Sequence, residues 1–279
     1  MDLSGRVTPD ERKQALDAIA AEVAVCTHCP LHVGRTLAVP GEGNSDTEVV
    51  FVGEGPGYNE DREGRPFIGA AGGLLNEMLK AIGWLREEVF ITNVVKCRPP
   101  GNRDPEPFEI AACAPYLKRQ LAVLDPAVVV TLGRHSLGTF MPGERISSAH
   151  GTARPTNPET GAALATTYAM YHPAAALRQG SLKETMLVDM AGLPEVLIQS
   201  RERRTAANVA AAGAGSQVAA APAPTAPASA PDQHPVHASA VVAGIAPDLT
   251  IEAPITPADL EAMVAPAPSP TEPQLELFR

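Results

Sequence analysis

Short apolar runs and stretches of helical periodicity alternate along the first 204 residues of this chain. The apolar runs have the length and composition of buried parallel strands and cover residues 48–53, 89–95, 127–132 and 166–170. The helical pattern covers residues 10–25, 70–84, 107–124 and 182–203. This alternation predicts a three-layer α/β domain around a mostly parallel, four-stranded sheet. In such domains the functional loops cluster at the carboxyl ends of the strands.

The composition changes abruptly after residue 204. Residues 205–279 include 22 alanines and 12 prolines in 75 positions, no lysine, and Phe278 as their one aromatic residue. A segment so poor in large apolar side chains cannot offset the entropy that ordering it would cost. We therefore predict a disordered linker over residues 205–273. The last residues, QLELFR at 274–279, depart from this low-complexity pattern.

The charge is divided unevenly between these two parts. Of the net charge of −10, residues 1–204 contribute −4 (21 basic and 25 acidic side chains) and residues 205–279 contribute −6 (1 basic and 7 acidic). The nearly balanced first part excludes a uniformly basic nucleic-acid binder but is compatible with a local basic groove. The sequence contains neither a signal-peptide pattern nor 18 consecutive strongly apolar residues, so we expect a cytoplasmic protein with no membrane segment.

The chain has four cysteines, Cys26, Cys29, Cys97 and Cys113. Cytosolic thiols are kept reduced, which argues against disulfides. Four thiolates, two of them in a C-x2-C pair, are what a [4Fe–4S] cluster or a structural zinc site requires. Zinc ribbons usually have two such pairs and this chain has one, which favours an iron–sulfur cluster. Four buried, unliganded cysteines are the alternative, although three of the four lie beside loop-forming residues, where a core side chain is unexpected.

A glycine-rich segment, GEGPGYNEDREGRPFIG at residues 53–69, follows the first apolar run. Glycine lets backbone N–H groups approach a ligand closely, and the helix predicted from residue 70 adds donors for an anion such as a DNA phosphate. The segment lacks the lysine and hydroxyl residue of a P-loop, which disfavours a nucleotide cofactor. We expect Phe67 in this segment to be exposed. A solvated surface loop is the alternative interpretation.

Two polar residues stand at the ends of predicted strands. Asn93 interrupts an apolar run, and a buried amide must be hydrogen-bonded by the protein or by a ligand. An amide offers a donor and an acceptor to one planar edge, which is what recognition of a nucleobase requires. His172 follows another predicted strand and opens a helix at the same sheet edge. A structural role for each residue is the alternative.

Together these motifs carry a resemblance to a known family. The segments GEGPG (53–57), GRPFIGAAGGLLN (64–76), ITNVVKCRPPGNRDP (91–105) and YHPAAAL (171–177), with the four cysteines, closely resemble the family 4 uracil-DNA glycosylases. The similarity covers about residues 12–200. It implies an α/β/α uracil-DNA glycosylase fold and a catalytic domain over residues 1–204. It also implies removal of uracil from DNA in base excision repair, and a [4Fe–4S] cluster that is structural, with no metal needed for catalysis.

The resemblance also assigns roles to single residues. Phe67 would stack on the flipped uracil, Asn93 would read its N3–H and O4 edge, and His172 would hydrogen-bond O2 and stabilise the anionic leaving group. The further positions that match family residues linked to activity are Glu54, Glu60 and Asn102. Better-known glycosylases have an aspartate where this chain has Gly55, so either Glu54 activates the water or the backbone holds it. Tyr58 or Glu60 would exclude the methyl group of thymine.

Two further implications concern DNA and partner contacts. Residues 174–180 would lie at the minor groove, with Arg178 on a phosphate. The segment CRPPGNRDPEP lacks the histidine of a relative that bonds covalently to its abasic product, so we expect no such trapping.

The C-terminal QLELF resembles the peptide by which bacterial DNA-metabolising proteins bind the replicative sliding clamp. Its clamp-binding residues would be Gln274, Leu275, Leu277 and Phe278. A long tether would raise the local concentration of the enzyme on clamp-loaded DNA. We expect a monomer in the cytoplasm, associated with the nucleoid, that acts on uracil in single- or double-stranded DNA.

Two other functions are consistent with these residues. The same fold would serve a glycosylase for another damaged base. A non-enzymatic iron–sulfur protein that binds DNA and recruits the clamp is the second alternative. An adaptor, however, has no need of an amide, an aromatic ring and an imidazole at one sheet edge.

Overall fold

A six-stranded mixed sheet lies at the centre of the computed structural model, which describes residues 7–217. In chain order the strands are β1 (Glu42–Gly43), β2 (Val49–Gly53), β3 (Phe90–Asn93), β4 (Val128–Leu132), β5 (Ala153–Pro155) and β6 (Thr166–Met170). Their order across the sheet is β1-β3-β2-β4-β6-β5. The four central strands are parallel, as predicted, so their carboxyl ends share one edge.

The prediction of four strands was wrong in number. The additional strands β1 and β5 pair antiparallel with β3 and β6 at the two edges of the sheet. They are two and three residues long, and they include Gly43 and Pro155. Elements this short carry no hydrophobic period, and glycine and proline are depleted in strands. Backbone pairing with a neighbouring strand creates them, so the local sequence gives no signal.

Helices cover both faces of the sheet, which makes the three layers predicted. In chain order they are α1 (Pro9–Val25), α2 (Leu31–Gly34), α3 (Tyr58–Glu63), α4 (Ala70–Ala81), α5 (Pro107–Leu124), α6 (Arg134–Phe140), α7 (Ile146–Ala149), α8 (Pro173–Arg178) and α9 (Ser181–Gln217). Within β2, Val49 and Phe51 pack in one core with α4 and α9, and Val50 and Val52 pack in the other with α1 and α5. The two-residue period of a strand sends alternate side chains to opposite faces.

The start and end of α1 follow from its sequence. Thr8 Oγ1 accepts a hydrogen bond from the Glu11 N–H (3.2 Å), and a Glu11 carboxylate oxygen accepts one from the Thr8 N–H (2.9 Å). This capping box, with Pro9 at the first helical position, fixes the start. The helix ends at Val25, directly before the first cysteine.

The last helix extends past residue 204, where the sequence predicted the catalytic domain to end and a linker to begin. Helix α9 continues to Gln217, because the alanine-rich segment after residue 205 has a high helix propensity despite its low hydrophobicity. The rest of the predicted linker and the QLELFR peptide at 274–279 lie outside the described residues. Over residues 7–217, the structure has no helix with the length and apolarity that crossing a bilayer requires.

Candidate active site

The carboxyl edge of the sheet brings together Phe67, Asn93 and His172. A Cβ atom built on Gly53, the last residue of β2, would lie 2.4 Å from Asn93 Oδ1 and 2.5 Å from Phe67 Cζ. The rings of Phe67 and His172 are stacked, with their centroids 5.5 Å apart. Gly53 is therefore required for the close approach of the amide and the phenyl ring. The expectation that an aromatic ring, an amide and an imidazole meet at this edge agrees with the geometry.

Asn93 is fully buried at the end of β3 and lacks a partner for its side-chain oxygen. Its Oδ1 atom is one of three buried side-chain oxygens without a hydrogen-bond partner among the described residues. Such an atom costs about 1–3 kcal/mol of desolvation. A ligand with an N–H group would recover that free energy, so this atom is suited to recognise the edge of a planar base.

Phe67 is buried, and the prediction that it is exposed was wrong. The residue has a φ of 49°, in the left-handed region that costs a bulky side chain about 1–3 kcal/mol. Arg86 holds this backbone by donating to the carbonyls of Pro66 (2.6 Å) and Phe67 (3.2 Å). Gly72 in α4 leaves space for the Phe67 backbone, since a Cβ atom at position 72 would lie 1.7 Å from the Phe67 carbonyl oxygen. Long-range contacts of this kind have no signature in a local sequence.

Glu60 supports the same segment from the other side. One carboxylate oxygen accepts hydrogen bonds from the N–H groups of Ile68 (3.0 Å) and Gly69 (2.9 Å). These contacts are those of a residue that positions the Phe67 segment. Helix α3, which carries Glu60, lies inside the segment that the sequence suggested was a loop. The catalytic and thymine-excluding roles suggested for Glu60 stay predictions.

His172 has its ring orientation fixed by the backbone. Its Nδ1 atom accepts a hydrogen bond from the Ala174 N–H (3.1 Å), so the proton of the neutral ring is assigned to Nε2. Burial lowers the pKa of His172 to about 4, an effect that Arg178 increases and Glu60 opposes. At neutral pH the side chain is therefore an uncharged donor that stacks on Phe67.

This lowered pKa predicts how the stability of the protein depends on pH. Between pH 6.5 and 4 the unfolded chain binds a proton at His172 that the folded protein does not, so the free energy of unfolding falls as the pH falls. We expect the stability of the wild type to drop by about 2–3 kcal/mol relative to His172→Gln between pH 7 and pH 4. Urea unfolding at a series of pH values measures this difference. If the free energy of unfolding depends on pH in the same way in both proteins, this prediction is wrong.

Glu54 follows β2 and is half-buried. Burial raises the pKa of its carboxyl group, which His135 nearby counteracts. A Cβ atom on Gly55 would lie 2.7 Å from Val95 Cγ2, so an aspartate side chain does not fit at position 55 without a shift. Glu54 is thus the carboxylate available at the end of this strand.

Tyr58 and Asn102 lie at the surface, and neither forms a hydrogen bond or a ring contact with Phe67, Asn93 or His172. Two guanidinium groups lie over the exposed ring of Tyr58, with the Cζ atoms of Arg62 and Arg98 5.7 Å and 5.2 Å from the ring centroid. Asn102 accepts a hydrogen bond from Arg98 (2.7 Å). Their roles in substrate binding stay predictions. Arg178, the predicted phosphate contact, is exposed at the end of α8.

Sequence reasoning missed two residues beside Glu54. His135 Nε2 lies 3.4 Å from a carboxylate oxygen of Asp104 and 3.9 Å from one of Glu54. His135 comes just after β4, so the rule that selected Asn93 and His172 would also have selected it. Asp104 lies in an irregular loop and carries no comparable signal.

The four cysteines line a single pocket between the end of α1 and α5. None of them forms a disulfide. Three of their sulfur atoms accept hydrogen bonds, from Arg35 to Cys97 (3.1 Å), from the Lys96 N–H to Cys113 (3.3 Å) and from the His28 N–H to Cys26 (3.5 Å). N–H donors of this kind stabilise metal-bound thiolates. The donor set therefore fits a metal or an iron–sulfur cluster.

Lys96 supports the same conclusion from electrostatics. Its ammonium group is buried and donates to Thr92 Oγ1 (2.5 Å), the Asn93 carbonyl (2.9 Å) and Gln120 Oε1 (2.7 Å), which are all neutral. A buried cation is expensive without a negative charge nearby. Cys113 raises the pKa of Lys96 against the effect of burial, so an anionic thiolate centre would complement the charge. The same lysine connects β3, which carries Asn93, to α5, which carries Cys113.

Comparison with known proteins places these features in a family. The model of the uracil DNA glycosylase superfamily matches residues 40–191. The type-4 uracil-DNA glycosylase of Sulfurisphaera tokodaii is 48% identical over 190 residues, which are 66% of this chain and 86% of that protein. The type-4 enzyme of Thermotoga maritima is 45% identical over 181 residues (64% and 93%), and that of Archaeoglobus fulgidus is 44% identical over 186 residues (66% and 94%).

Proposed function

Since the chain belongs to the uracil-DNA glycosylase superfamily, and within it to family 4, we propose that it hydrolyses the N-glycosidic bond of deoxyuridine in DNA. The product is an abasic site for base excision repair. The observation that carries this proposal is the buried, unpartnered Oδ1 atom of Asn93 beside the stacked rings of Phe67 and His172. These groups offer a flat apolar wall, a base-reading amide and a donor for an oxyanion.

Base recognition follows from the donors and acceptors at this edge. Asn93 Oδ1 would accept the uracil N3–H, and its NH2 group would donate to O4. Cytosine presents an acceptor at N3 and a donor at N4. The same amide would then place its oxygen against an acceptor and its NH2 group against a donor, and neither hydrogen bond could form. Phe67 would stack on the flipped base, since an extruded base is read by stacking and by its Watson–Crick edge.

Bond cleavage places negative charge on the base. As the bond between C1′ and N1 breaks, its electron pair goes to uracil and the sugar becomes cationic. His172 Nε2–H would donate to O2 and stabilise that anion as a neutral donor, because its pKa is about 4. Water then attacks C1′, and Glu54 would take its proton. The uracil anion takes up a proton from solvent while Glu54 releases its own, so the products are uracil and an abasic sugar.

We further propose that the four cysteines hold a structural [4Fe–4S] cluster. The support is that all four cysteines line one pocket, and that three of their sulfur atoms accept N–H hydrogen bonds of the kind that stabilise bound thiolates. The single C-x2-C pair favours a cluster over a zinc ribbon, which usually has two such pairs. When bound, the cluster would join the end of α1 to α5 and hold the intervening loops, with no part in the hydrolysis.

The experiment that tests the activity uses a labelled duplex with one U:G pair and a matched T:G duplex. The purified protein is incubated with each in chelator without added metal, and abasic sites are then cleaved with alkali. We expect scission of the uracil strand only. If protein with an intact visible absorption leaves the uracil strand whole, the proposal fails, and hypoxanthine and ethenocytosine duplexes then test other bases.

The partner and the location are proposals from the sequence alone. We propose that residues 274–278 bind the replicative sliding clamp, and that the enzyme works as a monomer in the cytoplasm at the nucleoid. The support is the QLELF sequence at the end of a long alanine- and proline-rich segment. A variant that lacks residues 274–278 should no longer be captured in a pull-down with the clamp, and it should keep its activity on short duplexes. If the variant is still captured by the clamp, the proposal is overturned.

A further inference from the structure

The peptide bond that follows Asn93 lies at a point where the sheet has a neighbouring strand on one side only. Its N–H group, on Val94, donates to the Gly53 carbonyl of β2 (3.0 Å). Because the N–H and C=O of a trans peptide point in opposite directions, the Asn93 carbonyl points away from β2, to the side of β1. Strand β1 reaches only as far as Ile91. Within residues 7–217 no strand therefore pairs with this carbonyl, and a buried carbonyl needs a donor.

Lys96 supplies that donor. Its ammonium group donates to the Asn93 carbonyl (2.9 Å), to Thr92 Oγ1 (2.5 Å) and to Gln120 Oε1 on α5 (2.7 Å). The three acceptors match the three hydrogens of the ammonium group, and a charged donor forms a stronger bond than a neutral one. Lys96 is 1% exposed, so water does not compete for these bonds. The ammonium group thus takes the place of a neighbouring strand at the last residue of β3.

A second set of hydrogen bonds fixes the ammonium group itself. Thr92 Oγ1 (2.9 Å) and Gln120 Nε2 (2.8 Å) both donate to the Pro40 carbonyl. The Lys96 carbonyl accepts from the Val39 N–H (2.8 Å), so the backbone of the lysine is held as well. Thr92, Lys96 and Gln120 are all buried. A buried network in which each member is bonded is rigid, because a displaced group would lose a bond that water does not replace.

We propose that Lys96 is a positioning residue that holds the backbone of Asn93 so that its amide faces the uracil edge. The inference rests on the proposed function, since it assumes that Asn93 reads uracil. The Asn93 Oδ1 atom has no hydrogen-bond partner among the described residues, so the backbone has a large part in setting its direction. Successive side chains of a strand point to opposite faces, which places the Thr92–Lys96 network on the face away from the Asn93 amide. Lys96 therefore acts through the backbone and not on the base.

The test is a double-mutant cycle between Lys96 and Asn93, measured as the single-turnover rate of uracil excision by the cluster-containing protein. Lys96→Met keeps most of the side-chain length and removes the ammonium group. In the wild-type background we expect it to lower the rate about 5- to 30-fold. In the Asn93→Ala background it should change the rate by less than about twofold, since no amide is left to position. The same loss in both backgrounds, or no loss in either, would overturn the inference.

Ser200→Ala is the matched control for the loss of buried hydrogen bonds. Ser200 is fully buried, and its Oγ atom accepts from Thr166 Oγ1 (2.7 Å) and donates to the Ala127 carbonyl (2.6 Å) at the amino edge of the sheet. Its replacement should lower the unfolding temperature and leave the excision rate within about twofold of the wild type. If it slows excision as much as Lys96→Met does, the effect of Lys96 is general destabilisation and the inference is wrong.

Gln120→Met is the second variant, for the case in which Lys96→Met does not fold or lacks its cluster. It removes the acceptor on α5 and leaves the ammonium group with Asn93 and Thr92. We expect a smaller loss of rate, about three- to fivefold, that again disappears in the Asn93→Ala background. A loss that persists there, or no loss at all, would overturn the inference. Visible absorption confirms the cluster in each variant. Absence of uracil excision by the wild type would instead overturn the proposed function.

Discussion

Replacing Asn93 by alanine should lower the single-turnover rate of uracil excision about 100- to 1000-fold, which is about 3–4 kcal/mol of transition-state free energy. The amide supplies both hydrogen bonds to the uracil edge, and a site built around such bonds loses most when they are removed. Asn93 is buried with its Oδ1 atom unpartnered, so the substitution removes an unpaired polar atom and breaks no hydrogen bond to that oxygen. Folding should therefore be retained, and the measurement is single-turnover kinetics on a U:G duplex.

The matched control is Asn157→Ala. Asn157 lies in the connection between β5 and β6, and its side chain accepts a hydrogen bond from the Glu159 N–H (3.0 Å). Its loss removes an amide of the same size from a place with no base to read, so the excision rate should stay close to that of the wild type. If Asn93→Ala excises uracil as fast as Asn157→Ala, the base-reading role of Asn93 is wrong.

The second large effect is expected from removing one cysteine, which should impair the assembly of the cluster and the folding of the protein. We expect Cys26→Ala to purify with little iron and sulfide, to lose the visible absorption of a cluster, and to yield far less soluble protein. A site that binds four thiolates couples its binding free energy to folding, since no such site exists in the unfolded chain. Burial raises the pKa of Cys113 to about 11, so this thiol would be protonated without a bound metal and would leave Lys96 without an anionic neighbour.

Val25→Ala is the control for this change. Val25 is the last residue of α1, directly before Cys26, and its side chain is 75% exposed. The substitution therefore disturbs the same turn without removing a sulfur. Its iron content, absorption and yield should match those of the wild type. A Cys26→Ala protein with full iron and absorption would show that Cys26 is not a ligand.

The regular part of the fold could be predicted from the sequence because burial on both faces gives a strand a continuous apolar run. Strand β6 and helix α5 have the bounds that the sequence predicts. The polar residues at strand ends, Asn93 and His172, were predicted for the same reason, since a break in an apolar run marks the point where a parallel strand reaches the functional edge.

The remaining parts depend on contacts between distant segments. Phe67 was expected at the surface, because it lies in a segment rich in glycine and in acidic and amide side chains, whereas Arg86, 19 residues away, holds its backbone in place. Strands β1 and β5 exist through pairing with a neighbour. The partners of His135, Glu54 and Asp104, come from other loops. A single sequence contains the residues of each contact but not their pairing.

The way His172 is held has a consequence for how this site tolerates mutation. Many catalytic imidazoles depend on a second side chain for their orientation, so the identities of two residues must both be retained. Here the Ala174 N–H sets the ring, and every amino acid except proline carries that hydrogen. As far as this bond is concerned, any of the nineteen amino acids other than proline can occupy position 174. At position 174, proline is the one substitution that would remove this hydrogen bond and release the imidazole without a change to His172 itself.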